Sequence, residues 1–356
     1  MGGAPAAGPG GSGWQWRGHP GQRRRYDGWP VLSTRVGPRT FLRLAQATAV
    51  VILLNIASGA SVRLSDSGLG CPDWPDCTRS QVTPPLRFHA LIEFGNRMVV
   101  VVLVVLCGAT VLAAWRRRPY RRDLTWLSVG LIVGVLAEAG VGAAVVYSKL
   151  NPYVVMGHFM VGVGLLGVAL VLAMRAGHAE GRGTPAVPHR ALVMVRVLIA
   201  LLVVAMVAGT ATTGAGPHAG GPGAKRIPVD LVDMTRTHAE IVLATGAFLL
   251  VVLWWLWRHD VPADIQQRGH VLLGVMVIQG IVGYTQYFTH LPAVLVGIHV
   301  FGASVVFSTL LWFHHDLSRH RPEPELATEG LEALGLEAAK GPPENEPLAG
   351  TPARAR

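Results

Sequence analysis

Eight long apolar segments constrain this chain more than any other feature of its sequence. Each is close to the roughly 20 residues that cross a bilayer as an α-helix. Strands of a membrane barrel would instead give segments of about ten residues with alternating hydrophobicity. The eight predicted spans are about Phe41–Val62, Phe88–Ala114, Leu124–Tyr147, Tyr153–Met174, Ala191–Thr212, Leu231–Trp257, His270–Phe288 and Leu291–Phe313.

Composition agrees with a membrane protein and excludes most soluble classes. Of the 356 residues, 51% are apolar and only 15% are charged, against about 25% charged residues in soluble chains. The net charge of +10 lies in blocks between the apolar segments, so it indicates topology and not a nucleic-acid partner. Three cysteines are too few for a disulfide scaffold or an iron–sulfur cluster.

The distribution of lysine and arginine predicts the orientation of the spans. Nineteen of these residues lie in the N-terminal segment, the connections after spans 2, 4 and 6, and the start of the C-terminal segment, whereas six lie in the other connections. The positive-inside rule therefore predicts that both termini are cytoplasmic. The expected location of the chain is the plasma membrane. The alternative, a cleaved signal peptide over residues 48–60, would leave seven spans.

A shift of 141 residues aligns spans 3 and 4 with spans 7 and 8 without a gap. The matched pairs are Glu138/Gln279, Val141/Val282, Gly142/Gly283, Leu150/Leu291, Val155/Val296 and His158/His299. The predicted fold is therefore an all-α integral membrane protein whose eight transmembrane helices form two tandem four-helix bundles in the same orientation, a pseudo-twofold internal repeat.

This organisation divides the chain into segments of different character. The low-complexity composition of both ends predicts disordered cytoplasmic tails. The predicted divisions are a basic tail over 1–40, a first bundle over 41–174 with an outer loop over 63–87, a cytoplasmic linker over 175–190, a second bundle over 191–315, and a second tail over 316–356.

Three histidines lie at nearly the same depth in spans that run in the same direction. His158, His238 and His299 are each expected roughly 8–12 Å below the outer surface. A single such histidine would more often be a hydrogen-bonded packing residue, but three at one level on repeat-related helices favour metal ligands. Histidines on facing helices of a bundle can hold a haem edge-on through both axial positions, and His238 and His299 meet this requirement.

The first bundle lacks one member of such a pair. Carrying His238 back by 142 residues reaches Asn96, which is a poor iron ligand. His89 lies two helical turns earlier on the same face. A haem site in the first bundle therefore either uses His158 alone or uses His158 with His89.

Glu93 lies on the helix face shared by His89 and Asn96. A carboxylate within a span costs several kcal/mol unless it is paired or near water. One interpretation is an ion pair with Arg97 at i+4, and the other is a catalytic carboxylate that faces the incomplete haem site and carries protons there.

The first outer loop contains Cys71 and Cys77, separated by five residues that include two prolines. On an oxidising face of the membrane these two cysteines can close a disulfide. The alternative is a pair of reduced thiols with a redox role.

Several motifs together resemble the haem A synthase family. They are the loop Ser67-Gly-Leu-Gly-Cys71-Pro-Asp-Trp-Pro, the segment Glu93-Phe-Gly-Asn96-Arg97, the loop Gly214-Ala-Gly-Pro-His218-Ala-Gly220, and single histidines in spans 4, 6 and 8. The resemblance covers about residues 41–315. Asn96 departs from it, because the family usually has histidine there.

The resemblance implies an enzyme, a membrane haem-dependent oxidoreductase. A haem b cofactor would lie between His238 and His299, and haem O would be the substrate in the first bundle. Its C8 methyl would be oxidised twice by O2 to a geminal diol that loses water to give the formyl group of haem A. Glu93 would be the catalytic residue, and the substrate haem would be held by His158 alone or by His158 with His89.

The resemblance also implies partners, which are haem O synthase, cytochrome oxidase assembly factors, an electron donor and membrane lipid; the charge pattern excludes nucleic acid. The residues by themselves leave two competing functions open. A dihaem b-type cytochrome that transfers electrons would use the same histidines but needs two complete pairs. A transporter would need helices broken near mid-membrane, and the sequence shows none.

Overall fold

The computed structural model describes residues 35–79, 81–221 and 223–327. Over these residues the chain forms eight helices that are long and apolar enough to cross a membrane, so the protein is a multi-pass, all-α membrane protein. The elements are α1 Pro38–Leu64, α2 Phe88–Arg116, α3 Arg122–Tyr147, α4 Pro152–Ala176, β1 Thr184–Pro185, α5 His189–Ala215, α6 Leu231–Arg258, α7 Ala263–Phe288, α8 Ala293–Asp316 and β2 Ser318–Arg319.

The observed helix ends lie within three residues of the predicted spans, except at the start of α7. That helix begins at Ala263, seven residues before the predicted start. Its first two turns include two glutamines and an arginine, so a hydropathy window excludes them. Ile265 and Gly269 in these turns are nevertheless buried, and packing against the rest of the bundle keeps them helical.

Each half of the chain forms a ring of four helices. In the first half α1 packs against α2 and α4, and α3 packs against α2 and α4. In the second half α5, α6, α7 and α8 have the same neighbour order, and the halves meet where α1 packs on α8 and α4 packs on α5 and α8. This order agrees with a tandem repeat, which itself stays a prediction.

The two short outer connections have the same backbone conformation. Lys149 and Leu150 both have positive φ values, of 53° and 61°, and His290 and Leu291 have values of 63° and 60°. Each pair follows a helix end at which the second residue donates its backbone N–H to a carbonyl five residues earlier. These are the positions that the 141-residue shift aligns.

Most of the tightly packed core lies toward one end of the bundle. We call this the inner end, because it carries the α2–α3, α4–α5 and α6–α7 connections; the opposite end is the outer end. Along α6 buried residues begin only at Thr245, and along α7 they end at Leu272. The outer halves of α6 and α7 therefore contribute no fully buried side chains.

The predicted tails fall largely on residues 1–34 and 328–356, which lie outside the described residues. The structure differs from the prediction where described residues extend into them. Glu323 is only 3% exposed and pairs with the fully buried Arg117 at 3.1 Å. β2 pairs antiparallel with β1, and Val36 exchanges backbone hydrogen bonds with the end of α2. Residues 35–40 and 316–323 therefore belong to the folded body. The buried guanidinium of Arg117 requires a carboxylate partner, and Glu323 supplies it.

Candidate functional site

Two of the predicted ligands, His238 of α6 and His299 of α8, face each other in the outer half of the second bundle. Their ring centroids are 6.3 Å apart, and their planes are inclined at 85°. Two imidazoles bound to opposite sides of one metal, through bonds of about 2.0 Å, have centroids roughly 6 Å apart. The observed centroid spacing is therefore close to that of two imidazoles bound to one metal.

The tautomer of His238 also suits a ligand. Its Nδ1 lies 3.0 Å from the Ala205 carbonyl oxygen. Because a carbonyl oxygen only accepts hydrogen bonds, Nδ1 carries the proton and Nε2 keeps its lone pair for a metal.

Gln279 of α7 contacts the corresponding ring edge of His299, but with a hydrogen-bond donor in place of an acceptor. Its Nε2 donates to the His299 carbonyl oxygen at 2.7 Å and lies 3.1 Å from His299 Nδ1. The amide thus contacts the ring on the edge that a metal would not use. Such outer contacts orient metal-bound histidines in proteins.

Each inward-facing ligand position packs against a glycine of the preceding helix. A Cβ on Gly209 or Gly283 would come within 3.0 Å of the His238 or His299 ring, so neither glycine can carry a side chain without displacing a histidine. The four corresponding pairs are Gly59/Asn96, Gly142/His158, Gly209/His238 and Gly283/His299.

His158, the predicted ligand of the first bundle, has a carboxylate partner. Its Nδ1 lies 2.9 Å from Glu138 Oε1, and the Glu138 side chain is 13% exposed. The atoms are close enough to hydrogen bond, but the ring is turned from ideal alignment and its Nδ1 forms no fully aligned hydrogen bond with any described group. Glu138 occupies the position that the repeat aligns with Gln279.

The other positions of the first bundle do not complete a histidine pair. Asn96 lies opposite Gly59, and its buried side-chain oxygen accepts no hydrogen bond from the described residues. His89 is exposed, and its Nδ1 lies 2.9 Å from Ser67 Oγ. The contacts described for His89 thus tie it to the outer loop, and its role as an iron ligand stays a prediction.

Glu93 is buried where α2 meets the outer loop. One carboxylate oxygen accepts the Cys71 backbone N–H at 2.8 Å, and the other pairs with Arg97 at 2.7 Å. The ion pair that the sequence offered as one interpretation is therefore present. Both oxygens hold the loop, and a catalytic role has to be compatible with these contacts.

Arg97 organises the whole first outer loop. Besides Glu93, its guanidinium donates to the carbonyl oxygens of Cys71, Asp73 and Asp76, each at 3.0 Å. Cys71 and Cys77 are joined in a disulfide, as predicted. A Cβ on Gly70 would lie 2.3 Å from the His89 carbonyl oxygen, so only glycine lets the loop approach α2 this closely.

The corresponding loop of the second half connects the two bundles. Arg63, at the end of α1, donates to the carbonyl oxygens of His218 and Thr213 at 2.7 and 3.0 Å. His218 Nε2 in turn donates to the Leu291 carbonyl oxygen at 2.8 Å. His218 is thus a structural residue that links three outer segments.

Comparison with known proteins identifies the family. The family described as Cytochrome oxidase assembly protein matches residues 42–220, half of the chain. The chain belongs to this family. The matched region includes Glu93, the disulfide loop, His158 and His218, and it ends before His238.

Curated relatives in this family include proteins named Heme A synthase. One from Geobacillus kaustophilus is 33% identical over 146 residues, which cover 37% of this chain and 44% of the relative. One from Shewanella oneidensis is 26% identical over 321 residues, 77% of this chain and 96% of the relative. One from Staphylococcus epidermidis is 23% identical over 75% of this chain and 92% of the relative. In the 33% alignments the chain spans less than half the length of the relatives.

The sequence did not assign roles to Glu138, Gln279 or His218 in this family member. The 141-residue alignment of Glu138 with Gln279 was the available signal, since a polar residue one helix away from each histidine is a natural partner for it. No sequence feature indicates the structural role of His218, because that role depends on the position of its loop in the folded chain.

Arg97→Lys should loosen the first outer loop. A lysine cannot reach three carbonyl oxygens and Glu93 together, so we expect a loss of about 1–3 kcal/mol in the local stability of the loop. Trypsin cleavage after the exposed Arg79 in purified protein measures this local opening. Arg87→Lys, at an exposed arginine before α2, is the control. Equal cleavage rates in both variants would contradict the clamp.

Proposed function

We propose that this protein is a haem A synthase that oxidises the C8 methyl of haem O to a formyl group in the membrane. The observation that carries the proposal is the facing pair His238 and His299, whose 6.3 Å centroid spacing suits the two axial positions of one haem. The family membership and the relatives named Heme A synthase support it.

In this proposal the two bundles have different tasks. The second bundle holds a haem b cofactor between His238 and His299, where the outer halves of α6 and α7 contribute no fully buried side chains. The first bundle receives haem O on His158. Bound haem supplies iron, at which O2 can be reduced.

The balance of the reaction defines what the protein must provide. Each of two hydroxylations inserts one oxygen atom of O2 into a C–H bond, and the other oxygen leaves as water after uptake of two electrons and two protons. The resulting geminal diol loses water to give the formyl group. The chain must therefore orient the methyl group, exclude bulk water and deliver protons, while an external donor supplies electrons.

Glu93 is the proposed proton-handling residue. Its burial below the outer loop and its position three residues before Asn96 bring it to the outer side of the first bundle. Arg97 and the Cys71 backbone N–H hold its two oxygens, which fixes the carboxylate in one orientation. His89 is the proposed secondary group for the substrate haem at the exposed end of the same face.

The alternative function, a dihaem b-type electron carrier, has less support. It needs a second complete pair of axial ligands, but the position aligned with His238 is Asn96, and His89 contacts Ser67. The second bundle offers a complete pair of histidines and the first bundle does not. This difference suits one cofactor and one substrate better than it suits two electron-transfer haems.

Haem extraction from membranes that contain this protein and a haem O synthase tests the function. We expect a new formyl-bearing haem A peak in chromatography. His238→Ala or His299→Ala should abolish the low-spin b-type spectrum of the purified protein, because each removes an axial ligand. Wild-type protein at normal abundance that yields haem b and haem O but no haem A would favour the electron carrier.

Glu93→Gln tests the catalytic assignment. Without a carboxylate to transfer protons, haem A formation should fall by about 10²–10⁴-fold while haem b content is unchanged. Glu240→Gln, which removes an exposed carboxylate of α6, is the matched control. Wild-type turnover of Glu93→Gln at equal haem b occupancy would reduce Glu93 to a residue that only clamps the loop.

The proposed location is the plasma membrane, with both termini in the cytoplasm. The partners proposed with it are haem O synthase, cytochrome oxidase assembly factors, an electron donor and surrounding lipid. Cysteines introduced at two exposed sites test the orientation: Lys225→Cys before α6 and Arg182→Cys after α4. In intact cells a membrane-impermeant maleimide should label only Lys225→Cys, and the reverse pattern would overturn the orientation.

A further inference from the structure

We propose that Glu138 is a positioning residue for His158 and that it makes the two haem sites electronically different. The inference rests on the proposed function, because it assigns a role toward the haem that His158 would hold. No sequence motif assigns a role to Glu138.

Glu138 contacts His158 on the ring edge that a metal would not use. The 2.9 Å separation of Glu138 Oε1 and His158 Nδ1 brings an acceptor to this edge. A turn of the ring would align the hydrogen bond, with the proton on Nδ1 and Nε2 left as the ligand atom. Small neighbours make room for this contact: a Cβ on Gly142 would lie 3.4 Å from the His158 ring, and one on Gly162 would lie 3.4 Å from Glu138 Oε1.

A carboxylate within a membrane span requires a partner that stabilises it. Charged groups inside a span are costly unless they are paired, and among the described residues the ion pair recorded for Glu138 is with His158. Glu138 Oε2 is buried and accepts no hydrogen bond from the described chain. Among these residues, no arginine or lysine forms an ion pair with Glu138 that would indicate a purely structural role.

The second bundle allows a comparison, because Gln279 beside His299 is aligned with Glu138 beside His158. Gln279 contacts the same ring edge of His299 through its amide Nε2, a donor that also bonds the His299 carbonyl oxygen. An amide nitrogen can only donate to the ring nitrogen, whereas a carboxylate accepts the ring proton in a charge-assisted hydrogen bond. It increases the electron donation of the imidazole and favours the ferric over the ferrous state. The carboxylate therefore sets the substrate haem at a lower potential than an amide partner would.

Reciprocal exchange of the two partners tests this role. The purified full-length protein is loaded anaerobically with haem b as the probe, and the potentials are read by optical redox titration. The component that His158→Ala removes is assigned to the first bundle. Glu138→Gln should raise the potential of that component by about 60 mV, which corresponds to a tenfold change in ferric preference, and should leave the other component unchanged. Gln279→Glu should lower the potential of the other component by a similar amount.

Each of the other possible outcomes would contradict a specific part of the proposal. Unchanged potentials in both variants, with both haems bound, would show that Glu138 is only a structural partner of His158. If Glu138→Gln fails to fold, Gln279→Glu decides, and an unchanged potential there overturns the proposal. A wild-type protein with no His158-dependent haem component would overturn the substrate site of the proposed function together with the role of Glu138.

Discussion

The constraint on which the rest of this structure depends is the cost of leaving a polar group unpaired in an apolar membrane. It explains why each inward-facing histidine has a partner on a neighbouring segment. His238 uses the Ala205 carbonyl oxygen, His299 contacts Gln279, and His158 lies beside Glu138. For His238 the same contact fixes which ring nitrogen remains for a metal, so its pairing and its orientation as a ligand have one physical cause.

The two bundles share a neighbour order but differ in how closely they pack. In the second bundle α6 and α7 lack buried side chains in their outer halves, and two histidines face each other across that space. In the first bundle the position aligned with His238 is Asn96. In the proposed function, the paired histidines of the second bundle suit a permanent cofactor, whereas a site with fewer protein ligands suits a substrate that must leave after reaction.

The outer loops join ligand helices that are distant in sequence. Arg97 holds the disulfide loop against α2 through Glu93 and three carbonyl oxygens. Arg63 and His218 connect the end of α1 with the loops of the second bundle. Guanidinium groups suit this task because one planar group donates several hydrogen bonds in fixed directions. The outer face is thereby a single connected layer over both candidate haem sites.

The sequence by itself determined the eight spans, the facing pair His238 and His299 and the disulfide, because each depends on local hydropathy, helical periodicity or a short spacing. It left the start of α7, the extent of the tails and the partners of Glu93 open. Those features depend on contacts between residues far apart in the chain: Ile265 is helical because the bundle buries it, and Glu323 is folded because Arg117 requires a carboxylate. Only the tertiary structure decided that Glu138 lies beside His158, because that contact depends on how two neighbouring helices rotate about their axes.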